Sequence, residues 1–286
     1  MRKQIYTKND KQVIEQEFDS LAEYCEYLSY GTFNPKITSK TSTDSTRNEW
    51  SGTTTYEEAI NLCLYGDYSN KFNELIELKD ELDDKINEKR RTAQSVESLQ
   101  GYIPHVPNYL KGFPLQMINT IYTENKNTKY VTIYFNISQL QTYTKEQFYY
   151  KGVICLSLID HLEKLDYQVS LKLFAGSYCQ NQVILTFFNL KTETERLNLR
   201  NLFFPMTNVA FLRRLHFRLR EITPELEAHW SGIYGYSLKS SEIRSYLDLT
   251  NTSIIFSYPD ELGIAGKNLL AEAKKAYEVL GFNNLL

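Results

Sequence analysis

The sequence has few of the residues and runs that would place it in a specialised class. Its four cysteines (Cys25, Cys63, Cys155 and Cys179) lie far apart and form no CxxC pair, which argues against a disulfide framework or a zinc finger. No stretch approaches about 18 apolar residues, so we expect no transmembrane helix. The first residues are too polar for a signal peptide. We therefore expect reduced, buried thiols in a cytoplasmic protein with no membrane partner.

Neither charge is in strong excess. The 286 residues include 32 Lys and Arg against 35 Asp and Glu, for a formal net charge of -3. This balance excludes a globally cationic nucleic-acid coat and an acidic solvating tail. With 42% hydrophobic residues, the chain is long enough to bury a core as one large domain with appendages.

Motifs of catalysis and cofactor binding are also missing. There is no GxSxG, no GxxxxGK[ST] and no GxGxxG after a strand, and none of the four histidines lies in a motif with Ser or Cys. We interpret Ser177 and Cys179 as parts of a tight hairpin turn. We interpret Asp260 and Glu261 as caps of the helix that follows them. The sequence thus predicts no catalytic residue and no cofactor.

Residues 1–117 are predicted to be a helical, loop-rich portion that packs on the rest of the chain. The Ser/Thr-rich residues 38–55 lack apolar periodicity and are expected to form an exposed linker. Three prolines in residues 95–117 exclude a regular helix there and favour a loop packed on the body. The predicted helices are 18–28, a short helix from Thr55 to Gly66, and a polar helix over 70–91.

Residues 118–286 show a more regular pattern of alternating elements. The run YVTIYFNI at 130–137 is typical of a strand covered on both faces. The runs at 169–174 and 182–188 are too close for a helical crossover, so they are expected to pair as an antiparallel hairpin. The further predictions are a strand over 253–257 and helices over 145–165, 206–222 and 264–280. This order predicts an α/β fold with a von Willebrand A-like or Rossmann-like layered sheet.

Residues 130–191 resemble the opening of a von Willebrand factor A-like domain: a hydrophobic strand, an amphipathic helix and a hairpin, with 253–260 as a later central strand. In that family the first strand ends in Asp-x-Ser-x-Ser, which holds a divalent metal. Here the matching positions are Asn136, Ser138 and Leu140. Losing a carboxylate and a hydroxyl removes ligands that a hard cation needs. We therefore expect the motif to be degenerate and to bind no metal.

Three islands resemble those of an uncharacterised family common in bacteriophage genomes. They are a Trp-x-Gly segment at Trp50, a hydrophobic-Gly-Phe-Pro-x-x-Met pattern over 109–117, and a glycine turn at 234–236. They occur in the order expected of that family. The resemblance implies a viral origin, in the host cytoplasm or associated with the virion, and no particular activity.

One segment stands out for its charge. Residues 196–220 contain six arginines and no acid. On a helix over 206–222, Arg213, Arg214, Arg218 and Arg220 could neutralise phosphates while nearby aromatic residues stack on bases. The same arginines could instead pair with acids elsewhere in the chain, such as the eight between Asp67 and Glu88, or bind an acidic protein surface.

We therefore carry two main hypotheses and a weaker third. The leading one is a non-enzymatic interaction or assembly module that binds a protein partner, either itself or another phage protein. The alternative is a nucleic-acid-binding protein of phage replication or gene control that uses the four arginines. The third is an enzyme whose site is assembled across loops. The side chains expected to anchor a protein partner are aromatic residues of two loops and the Trp-x-Gly segment: Trp50, Tyr102, Tyr109, Phe113, Trp230, Tyr234 and Tyr236.

Overall fold

The computed structural model describes residues 1–66, 70–86, 93–100, 103–122, 129–138, 142–231, 234–247 and 249–282. Within these ranges the strands are β1 (Arg2–Lys8), β2 (Lys11–Phe18), β3 (Ala93–Ser98), β4 (Ile103–Pro104), β5 (Met117–Tyr122), β6 (Lys129–Asn136), β7 (Tyr167–Cys179), β8 (Gln182–Lys191), β9 (Tyr236–Ser237) and β10 (Ser253–Phe256). The helices are α1 (Leu21–Tyr30), α2 (Asn48–Ser51), α3 (Tyr56–Tyr65), α4 (Lys71–Ile86), α5 (Val106–Leu110), α6 (Lys145–Lys164), α7 (Leu199–Thr207), α8 (Phe217–Ile222), α9 (Ser240–Tyr246) and α10 (Leu269–Val279).

Seven of the strands in the described ranges form the main sheet, in the order β1-β2-β8-β7-β6-β10, with β9 paired to β7. The pairs β2–β8, β6–β7 and β6–β10 are parallel, whereas β1–β2 and β7–β8 are antiparallel. Together with the helices, this mixed sheet confirms the predicted layered α/β fold.

Side chains alternate between the two faces of the sheet because successive residues of a strand point in opposite directions. From β6, Ile133 and Phe135 enter the larger core beneath the helices, whereas Tyr134 enters a smaller core on the other face. On β7, Leu173 and Phe174 divide in the same way. Both faces are thus covered, as the apolar sequence of β6 predicts.

The helix α6 lies at the centre of the larger core. Thr144 caps its N-terminus by accepting the N–H of Gln147, whose side chain in turn accepts the N–H of Thr144. A Cβ atom at Gly152 would lie 2.1 Å from the carbonyl oxygen of Met206, so glycine lets α6 and α7 approach closely. The predicted bounds of 145–165 for α6 agree closely with the observed bounds.

The N-terminal portion contributes strands to the main sheet as well as helices and loops. Residues 2–18 form a hairpin whose second strand pairs with β8 in parallel register, Val13 opposite Val183 and Phe18 opposite Phe188. The predicted helix over 18–28 is therefore shifted, because Phe18 ends β2 and α1 begins at Leu21. The sheet placed within 118–286 by the sequence also includes these first two strands.

Residues 95–117 were expected to form a loop, and this prediction is wrong. Strands β3, β5 and β4 make a separate three-stranded antiparallel sheet, and the short helix α5 lies between β4 and β5. We call residues 93–122 the arm. Its prolines lie at a strand end, in the first turn of α5 and in the turn before β5, where a missing N–H is tolerated.

The second half needs four smaller corrections. Strand β7 continues to Cys179, so Ser177 and Cys179 lie in a strand and are buried, and not in the hairpin turn. The predicted helix over 206–222 is interrupted after Thr207, and residues Phe211–His216 form a π-helical segment. Strand β10 lies at the edge of the main sheet. The last helix begins at Leu269, and Asn268 rather than Asp260 or Glu261 caps it.

Helix α4 confirms the predicted polar helix over residues 71–86, and residues 87–91 of that prediction lie outside the described ranges. Its buried Leu75 and Leu78 face the body, and the Tyr149 hydroxyl contacts the carbonyl oxygen of Lys71 at 2.8 Å. None of the helices in the described part of the chain combines the length and apolar character needed to span a bilayer.

Candidate functional site

The residues at the end of β6 do not fit a metal ion. The side-chain oxygen of Asn136 accepts the N–H of Ser138 at 2.9 Å. The Ser138 hydroxyl bonds both backbone groups of Gly176, accepting from its nitrogen at 3.1 Å and contacting its oxygen at 3.3 Å. Both side chains are buried, and Leu140 lies outside the described ranges. The Ser138 hydroxyl is therefore used to join the end of β6 to β7, and the Asn136 oxygen is used within the turn that follows β6.

A buried lysine amine already occupies this edge of the sheet. The Lys151 ammonium lies 2.5 Å from the carbonyl oxygen of Asn136 and 3.1 Å from that of Ser257, so it joins the ends of β6 and β10. The ring of Phe135 lies 4.5 Å from it. Burial lowers the pKa of Lys151 to about 7. A divalent ion here would be repelled by the protonated amine.

Carboxylates are near this edge but are engaged by hydroxyl groups. The Tyr143 hydroxyl donates to Asp260, and Ser240 donates to Glu261 at 2.6 Å. Within the described ranges, no group of three or more His, Cys, Asp or Glu side chains is placed to hold a metal ion.

The second candidate region is the arginine-rich segment, and it binds residues 39–54, which we call the strap. Arg214 is fully buried and donates to the carbonyl oxygens of Ser42, Asp44 and Thr53 at 3.0, 2.8 and 3.1 Å. It also donates to the side-chain oxygen of Asn48 at 3.0 Å. The expected exposed linker is therefore a held segment, because one guanidinium satisfies several of its backbone oxygens.

Buried Glu221 also binds the strap. Its carboxylate accepts the backbone N–H of Ser42 at 3.0 Å and the Ser42 hydroxyl at 2.5 Å. The Tyr234 hydroxyl donates to it at 2.5 Å. Burial raises the pKa of Glu221 above its ordinary value. A buried carboxylate and a buried guanidinium thus both bind one short stretch of backbone.

The other arginines are used in similar ways. Arg213 donates to the carbonyl oxygen of Trp50 at 2.5 Å and lies 4.8 Å from its ring. Arg218 donates to Gly31 at 3.0 Å and lies 3.8 Å from the ring of Phe33.

Arg220 is buried against His216, whose ring nitrogen lies 3.0 Å from the guanidinium. Burial and the Arg220 charge hold the pKa of His216 well below its ordinary value, so the neutral ring accepts this hydrogen bond. Arg214 and Arg220 therefore cannot reach phosphate in the folded protein. The contacts described for the four arginines are with carbonyl oxygens, aromatic rings, the Asn48 side-chain oxygen and a histidine.

The aromatic residues expected to anchor a partner fall into four groups. Trp230 is only 2% exposed and donates its indole N–H to Gln182 at 2.9 Å, so its assignment to a surface is wrong. Tyr234 stacks on Phe217 with ring centroids 4.0 Å apart. Tyr102 lies outside the described residues. Those with substantial exposure are Trp50, Tyr109, Phe113 and Tyr236.

The arm carries the densest group of exposed apolar side chains in the described chain. Seven of them are between 39% and 78% exposed, although leucine, isoleucine, valine and aromatic residues are usually buried. We call them the arm surface: Leu99, Ile103, Val106, Tyr109, Leu110, Phe113 and Leu115. Of these seven residues, the sequence predicted only Tyr109 and Phe113 as anchors for a partner, because the spacing of the other five does not distinguish a packed loop from an exposed one.

The chain belongs to the DUF7192 family. This family is described as a domain of unknown function, and its profile matches residues 3–283. No curated protein and no solved structure matches the chain. Because the DUF7192 match spans nearly the whole chain, it includes the main sheet, the strap and the arm.

Proposed function

We propose that this chain is a non-enzymatic protein-interaction module, and that the arm surface is where a partner protein binds. The observation that carries the proposal is the exposure of seven large apolar side chains within 17 residues, 99–115. Contiguous apolar patches of more than a few hundred Å² are rare on monomers and mark interaction sites. Aromatic residues such as Tyr109 and Phe113 are typical anchors of such interfaces.

The rest of the molecule supports a scaffold role. Charged groups that could serve catalysis or phosphate binding, namely Lys151, Arg214 and Glu221, are buried and engaged with backbone. Their arrangement favours a rigid body that presents the arm. With Arg214 and Arg220 buried, nucleic-acid binding is left with the half-buried Arg213 and Arg218, so it is not our proposal.

Two finer proposals rest on the sequence resemblances. The strand–helix–hairpin–strand order of β6, α6, β7–β8 and β10 supports a von Willebrand A-like classification of the sheet. The phage origin, in host cytoplasm or virion, rests on the three sequence islands. The middle island at 109–117 coincides with the arm surface. The other two islands surround glycines in positive-φ turns at Gly52 and Gly235.

A photo-crosslinking experiment tests the function. The full chain is produced with p-benzoylphenylalanine in place of Tyr109, and in a matched control in place of Tyr65, which is equally exposed on α3. We expect a specific adduct from position 109 only, identified by mass spectrometry and reproduced with the purified partner. Identical adducts from both positions, or none from position 109, would contradict the proposal.

A further inference from the structure

We infer that the partner of the arm surface is a second copy of this chain, packed apolar face to apolar face about a twofold axis. The inference rests on the proposed function and adds the identity of the partner. It is argued from the size of the surface, its charge and its preformed geometry.

The size of the arm surface matches one half of a stable dimer interface. A large side chain covers about 150 Å² or more when fully buried, so the seven exposed fractions together present on the order of 700 Å². A standard protein interface buries about 800 Å² on each partner. The exposed apolar area of one arm surface is therefore close to what one partner of a standard interface buries.

The charge of the surface favours a like partner. Residues 99–115 contain only two ionisable groups besides tyrosine, Lys111 and His105, and no acid. His105 already lies 3.8 Å from Glu97. Complementary charges usually determine which different protein binds a surface, and residues 99–115 offer few charges for such a partner to match. Homodimer interfaces, in contrast, are more apolar than those of transient complexes.

Hydrogen bonds hold the surface in shape before any partner binds. The Asn108 amide donates to the carbonyl oxygen of Leu115 at 2.8 Å, and the Phe113 N–H donates to that of Asn108 at 3.0 Å. The His105 N–H donates to Gln116 at 2.8 Å. Because these bonds fix the turn that carries Leu110 and Phe113, association orders little new backbone, which favours binding.

Sedimentation velocity of the purified full chain tests the inference. Interfaces of this size reach micromolar or tighter affinity, so the series runs from about 1 to 100 µM. We expect the unmodified chain to sediment with twice the monomer mass of 33.5 kDa. A Leu110→Asp/Phe113→Asp variant should be monomeric with an unchanged circular dichroism spectrum. The matched control Tyr65→Asp should remain dimeric.

A second measurement locates the contact. The four native cysteines are buried, so Leu110→Cys adds one accessible thiol, and mild oxidation should join two copies near the axis. Tyr65→Cys should not form this dimer. A monomer at every concentration overturns the second-copy inference. The proposed function survives that result if Tyr109 still crosslinks to a different protein. A dimer that persists in the Asp variant places the contact elsewhere and overturns the inference too.

Discussion

The guanidinium of Arg214 donates a 3.0 Å hydrogen bond to the carbonyl oxygen of Ser42, across a separation of 172 residues. Ser/Thr-rich composition without apolar periodicity is typical of a linker, yet this segment is held by charged groups of the distant π-helical segment and α8. The strap illustrates that a segment can be fixed by its backbone oxygens when its side chains offer no core.

The first prediction concerns this contact. Arg214→Met should destabilise the fold by about 3 kcal/mol or more, because several buried carbonyl oxygens would lose their donor. Arg214→Lys should recover little, because a lysine lacks the planar fork that reaches several acceptors. Urea unfolding measures the loss, and amide hydrogen exchange should increase within residues 39–54.

Arg196→Met serves as the control, since Arg196 is exposed and its change should alter stability by less than about 0.5 kcal/mol. Equal stability of the Arg214 and Arg196 variants would show that the strap is not held by Arg214.

The second prediction uses the glycine of the Trp-x-Gly island. Gly52 has a φ of 89°, and a Cβ there would lie 2.8 Å from side-chain atoms of Asn208 and Val209. Gly52→Ala should therefore cost about 2–3 kcal/mol from strain and overlap together.

Gly112 provides the matched comparison. Its φ is 69°, but a Cβ added there would have no heavy atom within 4 Å beyond its chain neighbours, so Gly112→Ala should cost only about 1 kcal/mol. Thermal unfolding of both variants gives the difference, and an equal loss would argue that Asn208 and Val209 do not restrict the space around Gly52.

The third prediction is a pH dependence. The folded pKa of Lys151 is about 7, below its ordinary 10.5. Between these values the unfolded chain binds a proton that the folded chain does not, so stability rises with pH. From pH 7 to 8.5 the contribution of Lys151 should amount to about 1–2 kcal/mol.

The rise in stability ends below pH 9. Burial raises the pKa of the neighbouring Cys155 thiol, so near that pH the thiol ionises in the unfolded chain but not in the folded chain, and this lowers the stability. Urea unfolding at several pH values should show the rise, and Lys151→Met should reduce the slope. An identical slope in both proteins would mean that Lys151 titrates normally.

The fourth prediction separates two aromatic residues that look alike in sequence. Trp230→Ala should destabilise the fold by about 3–5 kcal/mol, since it removes a buried ring and the partner of Gln182. In the monomeric Leu110→Asp/Phe113→Asp background, Tyr109→Ala should change stability by less than about 0.5 kcal/mol, because the ring then lies in solvent. Denaturant titrations of the two variants decide the matter, and a large loss at Tyr109 would place its ring in a core.

Much of the main sheet could be predicted because its strands are continuous apolar runs. The predicted bounds of four elements lie within a few residues of the observed ones: β6, β8, β10 and α6. A strand that is buried on both faces is recognisable by its continuous apolar sequence. The hairpin of residues 2–18 was missed because charged residues alternate with its apolar ones. Its turn did carry a signal: Asn9 and Asp10 both have positive φ, the conformation that these residues favour in two-residue hairpins.

The site was less predictable for a physical reason. Arg214 and Arg220 lie on a helix with other arginines, and nothing in their spacing distinguishes a guanidinium that binds backbone from one that faces solvent. The same holds for Trp230 and Tyr109, whose exposure depends on contacts made far along the chain. The sequence predicts aromatic residues that could anchor a partner, but the tertiary fold determines which of these residues lie on the surface.

The parallel pairing of β2 with β8 also sets an order of events during synthesis. Residues 12–18 can pair with β8 only after residues 182–188 have left the ribosome. The strap can contact Arg214 only after that later residue has also been synthesised. Contacts of such sequence separation form slowly, and domains of this size expose apolar strands while they wait. Strands β1 and β2 are thus translated long before β8, the strand that pairs with β2, and the nascent chain depends most on protection from aggregation in that interval.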